Sequence, residues 1–126
     1  CTDGNRRLGV LTDLGHVPVN VLQSLEGCHA LLLECNHEPD LLAASAYPPF
    51  LKRRVGGDHG HLANAQAAAV LQSLRHDQLG QVVAAHLSRK NNHPDLARNA
   101  LAGALGCPSG EIVVADATEG TGWISV

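Results

Sequence analysis

A chain of 126 residues is long enough to bury one hydrophobic core and reads as one domain or a large part of one. Its 44% hydrophobic and 17% charged residues fit a globular domain, and a net charge of −3 excludes a global field that would draw it to nucleic acid or membranes. No apolar run approaches the roughly 18 residues of a membrane-spanning helix, and three aromatics are too few for a base-stacking platform.

Arg7 to Thr12 reads as a strand, and Pro18 to Leu25 as a helix with a proline suited to its first turn. Ala30 to Leu33 is a buried strand, Pro39 to Ala44 a short helix, and Tyr47-Pro48-Pro49-Phe50 a loop, because two prolines interrupt a helix. Asn64 is expected to cap a helix from Ala65 to about Leu74. Gln81 to Ala85 is a further strand. Pro94 to Leu105 follows as a helix, with Asn92 or His93 before it and Gly106 ending it. Glu111 to Ala115 and Trp123 to Val126 read as short edge strands joined by a turn over Asp116 to Gly122. Alternating strands and helices predict an α/β layered domain. The chain contains no methionine and opens on Cys1-Thr2-Asp3-Gly4-Asn5-Arg6, a turn-like stretch leading straight into a strand, so a fragment of a longer domain is expected. Cys1, Cys28, Cys35 and Cys107 show neither a zinc-binding pair nor a disulfide framework, which points to thiols in a reducing, cytoplasmic setting.

Three apolar runs each stop at a residue that binds metal or moves protons: Asp13, Glu34 with His37 just beyond, and His86. In open α/β sheets the carboxyl ends of the strands share one crevice, where ligands bind. Alone, Asp13 before Leu14-Gly15 is as well explained by a tight turn as by a metal ligand. Glu34, ending an apolar strand, needs a partner. A pairing with a histidine such as His37 would orient that imidazole and raise its pKa, while backbone bonds to Glu34 and a capping His37 explain the residues equally. His61 follows the glycines at 56, 57 and 60, in a loop able to approach a ligand closely. His86 is a candidate metal ligand at a strand end. Lys52-Arg53-Arg54 could meet phosphate, although a short basic run is more often a solvated face.

Four segments together resemble the metallo-β-lactamase-fold hydrolases, and most closely the bacterial YycJ/WalJ-type branch. They are Thr12-Asp13-Leu14-Gly15-His16, Leu33-Glu34-Cys35-Asn36-His37-Glu38, Gly57-Asp58-His59-Gly60-His61-Leu62-Ala63-Asn64, and Ala85-His86-Leu87-Ser88-Arg89-Lys90-Asn91-Asn92. The resemblance implies the C-terminal half of a four-layer αββα fold, over residues 1–126, and a dinuclear centre of two divalent ions, Zn or Mn. It assigns Asp13 as bridging ligand, His86 as the last metal histidine, His61 as the histidine assisting the leaving group, and Glu34 and His37 as catalytic support. Cys35 and Ala63 depart from the usual Ser or Ala and the usual Ser. The His-x-His-x-Asp-His motif that supplies most ligands in this fold is absent, so the missing N-terminal half is the first partner expected.

The function expected from these residues is a metal-dependent phosphodiesterase or nuclease, inactive as this fragment alone, acting on a phosphodiester substrate that could be nucleic acid and not at membranes. Thioester or acyl hydrolysis on the same fold, and a non-catalytic α/β interaction or ligand-binding domain, are the alternatives. An upstream His-x-His-x-Asp-His motif would eliminate the last.

Overall fold

The computed structural model describes residues 6–12, 14–57 and 60–115. Its strands are β1 (Leu8–Leu11), β2 (Ala30–Glu34), β3 (Gln81–Ala85) and β4 (Val113–Val114). Its helices are α1 (Val19–Leu25), α2 (Pro39–Ala44), α3 (Pro49–Gly56), α4 (Asn64–Leu74) and α5 (Pro94–Leu105), with a 3-10 turn at Ser109–Glu111. All strand pairs are parallel and lie in the order β1-β2-β3-β4.

That one-way order decides where the core sits. Right-handed crossovers that always advance in the same direction deposit their helices on one face of the sheet. Leu25 of α1, Leu71 and Leu74 of α4, and Ala97 and Leu101 of α5 accordingly share one core with Leu11, Leu31, Leu33, Val82 and Ala84 of the sheet. Side chains alternate along a strand, so the register puts Val10, Leu32, Val83 and Val113 in a row on the other face. That row runs from Val10, half exposed at the edge, to Val83, which is buried.

Helix termini follow their local chemistry with three departures from expectation, the first being that Pro18 is the extended N-cap of α1 and not part of its first turn. The Tyr47-Pro48-Pro49-Phe50 loop is shorter than its sequence reads, because Pro49 occupies the first helical position of α3, where a missing N–H costs nothing. The N-cap of α4 is Ala63 rather than Asn64. Asn64 is the first helical residue and is buried, its amide engaged elsewhere, while Gln66 Oε1 turns back to accept from the Ala63 N–H at 2.8 Å. At α5, His93 Nδ1 accepts from the Asp95 N–H at 3.1 Å, Pro94 begins the helix, and Gly106 closes it at φ 69°. The expected strand over Glu111 to Ala115 is reduced to Val113–Val114 after the 3-10 turn, while Asp116 to Gly122 and Trp123 to Val126 lie outside the described residues. Among the described residues no helix is long and apolar enough to cross a membrane.

The α3–α4 connection turns beneath the end of α3, where Gly60 N–H bonds to Gly57 O and His61 N–H to Val55 O. A Cβ on Gly60 would lie 2.2 Å from Arg54 O and 2.3 Å from Val55 O, backbone atoms that have no rotamer to escape through. Gly60→Ala should therefore destabilise the fold by about 1–3 kcal/mol. Gly103, in α5 with nothing within 4 Å of its virtual Cβ, is the opposite case. Gly103→Ala should stabilise by about 0.4–1 kcal/mol. Urea midpoints of the two variants should shift in opposite directions.

Candidate active site

Glu34, the last residue of β2, is fully buried. A carboxylate there is tolerable only with partners, and it has them. His61 Nδ1 lies 2.9 Å from Oε1, the Leu62 N–H donates to Oε2 at 3.3 Å, and His86 Nδ1 stands 3.7 Å from Oε1. An ionised carboxylate only accepts, so Nδ1 of His61 is the donor and Nε2 is left on the outer edge of the ring. His86 turns its Nδ1 toward the same oxygen from 3.7 Å, too far for a hydrogen bond. The two imidazole side chains are 39% and 52% exposed, so one buried anion turns two rings outward.

Each histidine is held by its backbone. The segment 36–37 runs alongside 62–64 as a short parallel bridge, with the Asn36 N–H on Leu62 O and the Asn64 N–H on His37 O, both at 2.9 Å. That extension of β2 delivers His61 to Glu34. His86 adopts φ 57°, a left-handed conformation that a β-carbon disfavours. Its carbonyl accepts from Asn36 Nδ2 at 3.1 Å, and two residues on, the Ser88 N–H donates to Asn36 O at 2.7 Å. Asn36 thus fastens the turn that aims His86.

His37 does not pair with Glu34; the histidine partner is His61, brought in from 27 residues away. His37 is buried instead, and its Nδ1 lies 3.3 Å from Asn36 Oδ1. Its pKa is pushed down, not up, by burial first and by His61 next, against Glu34 and Glu38. Cys35, fully buried beside Glu34, has its thiol pushed up to about 12 by burial and then by the neighbouring carboxylate.

Beneath this layer lies a polar clamp that residue-by-residue reading missed. Asn64 and Asn92 face each other with reciprocal amide bonds of 2.8 and 2.9 Å. Asn92 Nδ2 also reaches Cys35 O at 2.8 Å, and Asn64 Nδ2 reaches Glu38 Oε2 at 3.0 Å. The clamp joins the end of β2, the start of α4 and the β3–α5 loop, the three segments that carry Glu34, His61 and His86. Asn91 Oδ1 beside it is buried without a partner. An asparagine in each of three loop motifs was the available signal. Lys52 is a structural cation, its Nζ bonded to Ala43 O, whereas Arg53 and Arg54 are exposed.

Asp13 lies outside the described residues, as do Asp58 and His59. Among the described residues no three histidines, cysteines or acids form a group able to hold a metal. The donor chemistry of His86 nonetheless fits one: an imidazole whose Nδ1 faces a carboxylate presents Nε2 in the orientation that metal-bound histidines adopt.

No protein-family model matches the sequence. The chain is 35% identical over 96 residues to the exodeoxyribonuclease YycJ of Bacillus anthracis, covering 76% of this chain and 36% of that protein. It is 32% identical over 88 residues to the exodeoxyribonuclease WalJ of Streptococcus pneumoniae, covering 70% of this chain and 33% of that one. The chain therefore spans about a third of the curated relatives it matches. In structure it resembles the metallo-β-lactamase fold protein YhfI of Bacillus subtilis, with a TM-score of 0.64 at 17% identity over 97% of this chain and 41% of that one. It also resembles a diphosphatase from the PhnP family, with a TM-score of 0.55 at 16% identity over 92% of this chain and 34% of that one. The likeness to the YycJ/WalJ-type branch is borne out, and the α/β fold with its parallel sheet is that of the metallo-β-lactamase-fold proteins.

Two substitutions read this geometry. His86→Gly and His86→Ala both lose the imidazole beside Glu34, but only glycine is free of the β-carbon that opposes a left-handed turn, so His86→Gly should be more stable than His86→Ala by about 1–2 kcal/mol. Urea denaturation separates them. For His37, the unfolded chain takes up a proton near the ordinary value of 6.5 while the folded chain resists it to lower pH. The unfolded state then holds more protons in that window, so stability falls as pH drops below about 6.5 and levels off once the folded form also protonates. His37→Gln should flatten this acid limb relative to the parent chain, in denaturation curves taken across that range.

Proposed function

We propose that this chain is the C-terminal portion of a metal-dependent phosphodiesterase or nuclease, built on a dinuclear centre of Zn or Mn. The observation that carries the reading is the buried Glu34 carboxylate that turns His61 and His86 outward at the carboxyl end of a parallel sheet. The two exodeoxyribonuclease relatives favour a nucleic-acid phosphodiester over an acyl substrate.

In this reading Asp13 and His86 hold metal. When bound, the ions supply an acidified water and neutralise charge on phosphoryl oxygens. His61 acts on the substrate side. Its Nδ1–H rests on Glu34, so it is the doubly protonated ring, steadied by that carboxylate, whose Nε2 gives its proton to the departing oxygen and returns to the neutral Nδ1–H form. Glu34 fixes the ring and tautomer, and His37 supports it through Asn36, which also holds the His86 carbonyl. The remaining ligands belong to a preceding half of the domain, whose sheet would cover the apolar row Val10, Leu32, Val83 and Val113. Two protein ligands fall short of the three of a catalytic zinc site, so residues 1–126 alone should bind metal weakly and turn over no substrate. The free thiols of Cys28, Cys35 and Cys107 favour a reducing, cytoplasmic setting.

The test uses the full-length protein. Asp13→Ala should lower metal content and activity together. His61→Ala should keep its metal and lose about 10²–10⁴-fold in rate with a strongly basic leaving group, but much less with p-nitrophenolate. Metal analysis beside rates on two such substrates measures both. Equal losses on both substrates would make His61 a phosphate-positioning residue, and lost metal would make it a ligand.

A further inference from the structure

The carboxamide of Asn36 meets two histidines at once. Its Nδ2 donates to His86 O at 3.1 Å, and its Oδ1 lies 3.3 Å from His37 Nδ1. A peptide carbonyl only accepts, so the amide nitrogen must be the end that faces His86 O, which leaves the amide oxygen facing His37. That oxygen also only accepts. Without a hydrogen on Nδ1, two lone pairs would oppose each other across 3.3 Å beside a ring that is 3% exposed. His37 therefore keeps its hydrogen on Nδ1. Burial holds its pKa below the ordinary 6.5, so near neutral pH the ring takes no second proton and Nε2, on its opposite edge, bears a lone pair. The backbone of Asn36 is fixed in turn, its N–H on Leu62 O at 2.9 Å and its carbonyl under the Ser88 N–H at 2.7 Å.

We propose that Asn36 is a positioning residue that locks His37 as a hydrogen-bond acceptor, with Nε2 bare. The tautomer depends only on the bonds, whereas its use rests on the hydrolase reading. His61 and His37 both turn Nδ1 to an oxygen, but a carboxylate stands behind His61 and a neutral amide behind His37. The amide steadies an N–H and brings no charge to balance an imidazolium. His37 thus has no hydrogen on Nε2 to give to a departing oxygen. It is among the residues lining a hollow of about 540 Å³ between α2, α3 and the start of α4. A group that meets Nε2 must bring its own hydrogen, as an O–H or N–H does, while an unprotonated phosphate oxygen is repelled.

The experiment records a long-range ¹H–¹⁵N spectrum of the full-length protein, loaded with diamagnetic zinc and labelled in histidine, near neutral pH. The His37 signals are those lost in His37→Gln. They should show a protonated Nδ1 and, far downfield, an unprotonated Nε2. Asn36→Asp still offers an oxygen to Nδ1–H and should keep this pattern. Asn36→Ala offers none and should bring the Nε2–H form into the population. The parent spectrum decides the tautomer with no substitution, so a poorly folded variant does not blunt the test. An Nε2–H ring in the parent, or an unchanged pattern in Asn36→Ala, would overturn the lock. Kinetics read the role. His37→Gln should slow two diesters, one with a strongly basic leaving group and one releasing p-nitrophenolate, by the same factor of about two to ten, the worth of one neutral hydrogen bond. A clearly greater loss on the basic leaving group would make His37 an acid and sink the proposal. Absence of turnover in the parent protein would remove the hydrolase reading and leave the tautomer result standing.

Discussion

The interaction on which the rest depends is the burial of one carboxylate. Stripping water from Glu34 costs several kcal/mol unless other groups replace it. The fold replaces it with His61, the Leu62 amide and the approach of His86. To satisfy that anion, a loop leaving α3 and a turn leaving β3 must both end at the tip of β2. The sheet register makes this geometrically natural, because Glu34 pairs with Ala85 and His86 is therefore the next residue beyond the ladder.

The polar layer below holds this convergence in place. The Asn64–Asn92 pair satisfies two buried amides with each other and spends their remaining donors on Cys35 O and Glu38. Buried networks of this kind are costly when half-made and rigid when complete. Asn36 works above the clamp, holding a left-handed histidine that would relax if its carbonyl were released. Strain kept at one residue by surrounding bonds is common where a side chain must face a ligand. The site is therefore preorganised by amides rather than by the core hydrophobics.

Much of this was legible in the sequence. Short apolar runs with Pro and Gly punctuation locate α2, β3 and α5 to the residue, because those signals act locally. The failures are equally local in origin. Two prolines at 48 and 49 read as a break, yet the second begins a helix. Asn64 reads as a cap because asparagine before a helical run usually is one, but tertiary demand from Asn92 and Glu38 took its side chain inward. His37 was the sequence neighbour of Glu34, and proximity along the chain is a poor guide to which histidine a strand end will meet. No residue pattern announces that His86 is left-handed. The motifs, read as a set, located Glu34, His61 and His86 in one place. The position of Asp13 lies outside the described residues.

Cys35 gives the floor of this site a chemical voice. Its sulfur is sealed under the clamp and keeps its proton to about pH 12, so in the closed structure it is almost inert to alkylation. Modification at neutral pH must wait for the segment between β2 and α2 to part from Asn92 and from the β3 end. The labelling rate of that one thiol thus counts openings of the site's foundation on the timescale of local unfolding. Loosening of the floor beneath Glu34 could be timed in this way with no ligand present.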